Sequence, residues 1–579
     1  MKHIYSLLAF ILVSAVVISY RFIPERYPKD YPLVVTTWDA LGYYIYLPSV
    51  FIYHDYKDLN WFPEADKKYS MSGGWFYQAN RCDNGNYVFS YLAGTAVMQL
   101  PFFLIGHLVA TRAGYPVDGF SPPYQMAIAF GAIIYFILSL LLLRKILLRY
   151  FNDRVTAATL LLLALASNII QYISVDGAMS HSFIFPLYVL ALWFTIKWHE
   201  SPSPLWASLI GLTIGLVTIS RPTEAIMFLI PLFWETQTRE LAARKWQLLR
   251  KYRGHIVWVA VFAFLAVLPQ LIYWKSASGS FIDVPGSRWD FLNPHFRVLF
   301  GWENGWFIYT PVAIFFIAGM FFMKKYPFYK SVLIFCLLSI YIVIAHHDWR
   351  YGATYSCRAL SHIYPVFALP LAAFIERISI RWIRYVLIIP ALYLIGVNLF
   401  QLRQYNKTIL HFRDMNRKYY CSIYLNPHPT PVDMSLLDTN DRIRDERPFR
   451  KLMLYRADTS LRISMVERSE KTLLDSLIVK NMPGSIPGDR WLKLEMQMKL
   501  NSTDAWGSYI NAELRREDST KRNRIRVINP LTRWGEENDY AFYINVPLYF
   551  SGSNFRLFIT SPSPLEAEVK KISVQYLYN

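Results

Sequence analysis

Cysteine and charge are both scarce in this chain. Only four cysteines, Cys82, Cys336, Cys357 and Cys421, are spread over 579 residues. Their separations fit no metal-binding spacing and Cys336 lies inside an apolar block, so neither a cysteine-held metal nor a disulfide framework is expected. A bridge among the other three has no support in the sequence. Charged residues make up 17% of the chain, and 60 Lys and Arg outnumber 41 Asp and Glu, a net charge of +19. That excess would suit a nucleic-acid partner if it formed a stripe. Much of it lies instead in short loops between apolar blocks, the positive-inside pattern of membrane proteins, which excludes nucleic acid. No internal repeat or low-complexity tract stands out. No small-residue cleavage site follows the first apolar block, so that block reads as a retained span and not as a removed signal.

Apolar and aromatic residues are abundant. Hydrophobic residues are 54% of the chain and aromatics 17%, and they cluster in blocks near the length that crosses a bilayer core. The chain is therefore expected to be a polytopic α-helical membrane protein. Blocks at 4–20, 121–143, 155–173, 182–197, 205–220, 224–234, 256–274, 306–323, 331–345, 359–375 and 384–400 give about 11 transmembrane helices, with 224–234 notably short. A further apolar segment, 88–110, would move the basic loops around Arg144 and Arg239–Arg253 to the outside if it crossed. The charge bias makes it a helix in or dipping into the outer face, broken at Pro101.

The long polar segments then fall outside: a first outer loop at 21–120, two shorter ones at 275–305 and 346–358, and everything after about 401. Residues 1–400 read as the transmembrane catalytic domain and 401–449 as a polar linker with little regular structure. From 450 to 579 short alternating strands, such as Trp491 to Met498 and Ala541 to Val546, suggest an extracytoplasmic β-sandwich.

Chemistry-bearing residues gather at the outer boundary. Directly after the first span, Thr36–Pro48 sets Asp39 beside Tyr43 and Tyr44, and more acids follow at Asp55, Asp58 and Glu64. A carboxylate at the water–membrane boundary can reach both a lipid-borne and a water-borne substrate. It can accept the proton of a hydroxyl attacking an anomeric carbon and stabilise oxocarbenium character. The alternative is that Asp39 caps a helix opening at Ala40. Arg221, after a long apolar run, and Arg358, at the outer entry to another span, stand against the charge bias. Guanidinium groups bind phosphate oxygens bidentately, so both suit a polyprenyl-phosphate head group. The competing account pairs Arg221 with Glu224 or lets it snorkel. His181, with His346, His347 and Asp348, supplies groups that a divalent metal could use, although no motif fixes a ligand set.

The order of these features resembles the GT-C superfamily of integral-membrane glycosyltransferases, which includes protein O-mannosyltransferases and aminoarabinose transferases. The matching pieces are Asp39-Ala-Leu-Gly-Tyr-Tyr, Gly94 through Pro101-Phe-Phe, Met179-Ser-His181, Ser220-Arg-Pro-Thr, Gly305-Trp-Phe-Ile-Tyr-Thr-Pro311 and Tyr351-Gly-Ala-Thr-Tyr-Ser-Cys-Arg358. They cover roughly residues 1–400. The resemblance implies transfer of a sugar, with inversion, from a polyprenyl-phosphate donor to a lipid, glycan or protein acceptor on the outer face. It maps the first-loop acid to Asp39 as base and a second acid to Asp58, with Asp55 competing. Arg358 and Arg221 would hold the donor phosphate. Tyr43, Tyr44, Trp75 and the 88–110 helix would wall the cleft, with His181 and Tyr351 also contacting substrate. The chain lacks, after its first span, the adjacent Asp-Glu pair of the O-mannosyltransferases, and it lacks the Trp-Trp-Asp signature of oligosaccharyltransferases. The latter argues against whole-oligosaccharide transfer to asparagine. The β-domain would be an accessory domain, with Trp491, Trp506 and Trp534 as candidate sugar platforms.

A transporter or flippase of lipid-linked sugars is the rival class. It should show two related halves with broken spans and ionisable groups at mid-bilayer, and neither is found. The outer β-domain, the basic inner face and the lack of a eukaryotic retention signal point to a bacterial inner membrane, with the C-terminal domain in the periplasm. The topology is checked by single-cysteine labelling: positions within 235–255 should react from the cytoplasmic side only, and residue 579 from the outside.

Overall fold

The structure, a computed structural model, describes residues 3–22, 34–283, 286–378, 381–458, 460–480, 490–502 and 505–579. Residues 23–33 of the first outer loop lie outside these. The chain divides into two compact units, Met1–Asn406 and Lys407–Asn579.

The first unit is almost wholly helical, as long apolar segments must be where no water can satisfy the backbone. Among the described residues six helices are long and apolar enough to cross a membrane: Gly94–Ala113, Pro122–Tyr150, Ser180–Glu200, Arg253–Ala277, Arg358–Arg377 and Val386–Asn406. Ile4–Tyr20, Pro204–Thr218, Pro222–Phe233 and Tyr329–Ile344 are apolar but shorter. Two corrections to the sequence reading follow. Gly94–Ala113 is not broken at Pro101 but runs through it as one helix. Membrane helices tolerate such a proline because neighbours and local adjustment meet the freed backbone groups. In the other direction, two expected spans are interrupted and a third changes its winding. Block 155–173 is helix Asp153–Leu165 followed by a π-turn at Gln171–Val175. Block 306–323 is Trp306–Tyr309 and Ala313–Met320, parted at Thr310-Pro311. Block 224–234 continues a 3-10 turn, Pro222–Phe228, into Leu229–Phe233.

Between helices the contacts are close and specific. Helix Ile4–Tyr20 lacks a cap of its own, and Asp153 from a neighbouring helix supplies one by accepting from the backbone N–H groups of Tyr5 and Ser6 at 2.9 and 3.0 Å. Pro204–Thr218 packs along Arg253–Ala277 through Gly211 and Gly215. A Cβ on Gly211 would lie 2.2 Å from the Val259 carbonyl oxygen, and one on Gly215 2.4 Å from that of Ala263. Small residues spaced i, i+4 let two membrane helices approach to backbone contact.

The first outer loop folds over this bundle as short helices Asp39–Tyr44, Tyr46–Phe51 and Phe62–Tyr69 and a hairpin pairing Ala79–Arg81 with Tyr87–Phe89. Leu41, Tyr44, Phe62, Phe89, Phe103 and Phe120 are among the residues of its apolar core.

In the second unit two antiparallel sheets share one core. Four strands run in the order Ser469–Val479, Ser553–Ser561, Tyr509–Arg516, Ser519–Arg526. The other sheet is ordered Arg450–Ala457, Leu565–Tyr578, Arg490–Leu500, Glu537–Asn545, with Leu461–Met465 also on Leu565–Tyr578. Strand Arg490–Leu500 alternates strictly, burying Leu492, Leu494, Met496, Met498 and Leu500 against Ile510, Leu514 and Phe555 of the opposite sheet. Trp534 packs against this core, whereas Trp506 is exposed. Residues 407–449 are part of this unit and not a structureless linker. They hold helices Arg417–Ile423 and Pro431–Ser435, and Asp438 receives a two-pronged hydrogen bond from Arg526 at 2.8 and 2.9 Å.

The helix contact generates a stability prediction. Gly211→Ala forces two backbones apart and should cost about 1–3 kcal/mol, read as a lower unfolding temperature in detergent. Gly254→Ala, where the new methyl meets nothing, should not.

Candidate active site

Asp39 opens the short helix Asp39–Tyr44, yet its side chain caps nothing. The cap position is Trp38, and the carboxylate turns sideways to three partners. Tyr77 donates to Oδ1 at 2.7 Å, Tyr91 donates to the same oxygen at 2.8 Å, and the Arg358 guanidinium donates to Oδ2. The capping account of Asp39 is thereby replaced by a charge pair. Local sequence makes the arrangement feasible. Gly42 lies one helical turn beyond Asp39, and a Cβ there would sit 2.1 Å from the Tyr91 ring. Without that atom the Tyr91 phenol can lie across the helix and reach the carboxylate. Tyr43 packs edge-on against the same ring, centroids 4.6 Å apart.

Burial alone would push the Asp39 carboxyl up, but the Arg358 charge and the hydrogen bonds from Tyr77, Tyr91 and Arg358 outweigh it and leave the group below the ordinary aspartate value. Burial and the adjacent carboxylate push the Tyr77 and Tyr91 phenols up, so both stay protonated as donors. The pair is not sealed: the Arg358 and Asp39 side chains keep 15% and 23% of their exposure. Arg358 spends one nitrogen on Asp39, and its other N–H groups have no hydrogen-bond partner among the described residues. Trp75, 72% exposed, lies against Tyr77 with centroids 5.4 Å apart and forms part of the rim.

Other expected residues are distributed differently. Tyr44 leaves the site: its hydroxyl donates to the Gly119 carbonyl and its ring packs on Phe103 and Phe120. Tyr351 is likewise structural, donating to the Val343 carbonyl at 2.6 Å and stacking on His346. Asp58 is exposed and has no side-chain hydrogen bond or ion pair among the described residues. Its neighbour Asp55 accepts backbone N–H groups from Lys57, Asp58, Leu59 and Asn60 and so shapes a turn. Arg221 makes no ion pair with Glu224 among the described residues, and its Nη1 is buried without a partner. Glu224 instead receives Tyr188 and neighbours His362, which meets His181.

The expected metal groups do not assemble. His347 pairs with Asp290 at 3.0 Å, His346 stacks on Tyr351, and His181 is held elsewhere. Among the described residues no group of three His, Cys, Asp or Glu is placed to hold a metal.

Tyr77, Tyr91 and His362 are not singled out in the sequence, and Glu224 only as a partner for Arg221. The one available signal was the density of aromatics in the first outer loop, which does not say which tyrosine meets Asp39.

Residues 121–274 match the family model described as dolichyl-phosphate-mannose-protein mannosyltransferase. No curated protein matches the chain. Among solved structures, ArnT from Cupriavidus metallidurans in the apo state is 14% identical, with 72% of this chain and 68% of that one covered and a TM-score of 0.41. The Archaeoglobus fulgidus oligosaccharyltransferase, in complex with Zn and sulfate, is 12% identical, covering 72% of this chain and 56% of that one, with a TM-score of 0.41. The arabinosyltransferase EmbB from Mycobacterium smegmatis is 11% identical, covering 97% and 64%, with a TM-score of 0.36. The chain thus spans less than two thirds of the length of the last two.

The Asp39–Arg358 pair is open to a double-mutant cycle. Asp39→Asn and Arg358→Met should each lower the unfolding free energy by about 1–3 kcal/mol, since each leaves a partly buried partner unmatched, and the double variant should lose clearly less than their sum. Strict additivity in detergent unfolding would show that the two do not interact.

By the family match over 121–274 and the order of its motifs, the helical unit is similar to the GT-C superfamily of membrane glycosyltransferases.

Proposed function

We propose that this chain transfers a sugar from a polyprenyl-phosphate donor to a hydroxyl-bearing lipid, glycan or protein acceptor at the outer face of a membrane, with inversion at the anomeric carbon. The observation that carries the reading is the open carboxylate–guanidinium pair: Asp39 held by Arg358, Tyr77 and Tyr91 beside an exposed tryptophan. A pair at the boundary matches a substrate that brings one phosphate and one attacking hydroxyl.

In this mechanism the donor phosphate docks on the free N–H groups of Arg358, with the charge of Arg221 as the second cation. Drawing the Arg358 charge toward phosphate loosens its hold on Asp39, which raises the basicity of the carboxylate when substrate is present. The acceptor oxygen then attacks the anomeric carbon as the bond from that carbon to the phosphate oxygen breaks. The electron pair leaves with polyprenyl phosphate, and the hydroxyl proton passes to Asp39. Tyr77 and Tyr91 keep the carboxylate aimed throughout, and Tyr43 and Trp75 line its surroundings.

The same reading places the chain in a bacterial inner membrane with its C-terminal unit in the periplasm. The two sheets of that unit, closed on one core, would form a β-sandwich accessory domain, and the exposed Trp506 is its best candidate for contact with a sugar.

The test uses purified protein in detergent and labelled sugar on a polyprenyl-phosphate donor. Asp39→Asn keeps the shape but cannot take a proton, so turnover at a temperature where the variant stays folded should fall by about 10²–10⁴ while donor binding persists. Arg358→Ala should weaken donor binding by roughly ten- to hundredfold, and Arg358→Lys should restore only part of it. Near-wild-type transfer by Asp39→Asn would remove Asp39 from catalysis.

A further inference from the structure

Glu224, His362 and His181 form a buried chain that no step above uses. Thr223 donates to Glu224 Oε1 at 3.3 Å and Tyr188 donates to Oε2. The carboxylate therefore acts as an acceptor on both oxygens. Oε1 also lies 3.1 Å from His362 Nε2, although the ring N–H is not aimed straight at it. That contact places the His362 proton on Nε2 and leaves its Nδ1 a lone pair. His362 Nδ1 is 3.0 Å from His181 Nδ1. Two lone pairs cannot face each other at that distance, so His181 carries its proton on Nδ1 and a lone pair on Nε2.

The far end of the chain, at a residue only 2% exposed, ends without a protein partner among the described residues. His181 Nε2 has no hydrogen bond among the described residues, and unlike Arg221 Nη1 it is not one of the sealed, partnerless atoms. Arg221 and Arg358 both lie within electrostatic range of the His181 ring. His362 and Arg358 share one short turn, Arg358–Ile363, so the middle of the chain lies near the pair described above. A ring nitrogen that only accepts, in the field of two guanidinium groups that only donate, is matched by a group able to do both. A hydroxyl is that group; a phosphate oxygen would meet the lone pair with another lone pair.

We propose that His181 Nε2 accepts a hydrogen bond from a sugar hydroxyl, with Glu224 and His362 as positioning residues that fix its tautomer. The proposal rests on the glycosyl-transfer reading, and the hydroxyl belongs either to the donor sugar or to the acceptor.

Two measurements on the full chain test it. Long-range ¹⁵N–¹H spectra of histidine-labelled protein, with His181 assigned by difference from His181→Phe, should show Nδ1 protonated and Nε2 bare. In His362→Phe that preference should be lost, as a merely space-filling His362 would not require. Finding His181 protonated on Nε2 in the wild type would overturn the proposal. In transfer assays His181→Phe should raise one KM roughly tenfold, the loss of a single hydrogen bond to substrate, with kcat changed far less. A rise in donor KM assigns the hydroxyl to the donor sugar, and a rise in acceptor KM to the acceptor. His181→Gln, whose carbonyl oxygen can accept in place of Nε2, should recover most of the loss. Unchanged KM values in His181→Phe, or a glutamine variant no better than phenylalanine, would overturn it. Wild-type protein that transfers no sugar would sink the glycosyl-transfer reading, while the tautomer measurement still decides whether the chain of three operates.

Discussion

A carboxylate and a guanidinium set at the edge of an apolar bundle can stay there only together. Either charge alone would pay for lost hydration without return, and the combination is stable because each satisfies the other and because two phenols complete the acceptor shell of Asp39. The surrounding construction serves that requirement. Asp39 stands at the first position of a six-residue helix, Gly42 leaves room for the Tyr91 ring, and the turn Arg358–Ile363 brings the cation from the other end of the unit. A partner for one member of such a pair is also a perturbation of the other, and in the proposed mechanism a donor phosphate would act on the basicity of Asp39 in this way.

Precision of that kind needs a rigid support, and in a membrane the hydrophobic effect does not press helices together. Close approach does. Gly211 and Gly215 bring one helix onto the backbone of another, and Gly94 abuts Ser220 so tightly that a Cβ there would lie 2.4 Å from its hydroxyl oxygen. The first contact steadies the helix from which Arg221 emerges, and the second fixes the residue before it. Irregular backbone is concentrated in the same region: the π-turn Gln171–Val175, the 3-10 turns at Pro222–Phe228 and Arg358–Ile363, and the break at Ser167-Asn168. Such segments are tolerated at membrane depth where protein groups satisfy them, and here the Asn168 side chain donates to the carbonyls of Tyr355 and Cys357.

Buried polar chains have the opposite character to the open pair. In the second unit Arg526 reaches Asp438 and Asp414 and meets His411, which ties the segment after Lys407 to the sheets and is sufficient as structure. The Glu224–His362–His181 chain ends instead in a nitrogen with no hydrogen-bond partner among the described residues, and that difference is what makes it a candidate site.

Taken by itself, the sequence determined everything that depends on local periodicity: apolar blocks that must be helices, strict alternation in Arg490–Leu500 that must be a strand with one buried face, and the singling out of Asp39 and Arg358 as charges where charge is costly. The family resemblance also set Tyr43, Tyr44 and Trp75 around the carboxylate. The sequence could not say that Asp39 and Arg358 bind each other, because they are 319 residues apart and no local pattern records the meeting. Nor could it divide Tyr43 from Tyr44, since adjacent residues on a helix point about 100° apart and only the packing decides which side is the cleft. The same holds for Pro101, which leaves its helix unbroken, and for the apolar blocks that turn out interrupted: hydropathy measures how much a segment prefers an apolar medium, while continuity depends on which neighbours are present to satisfy its backbone.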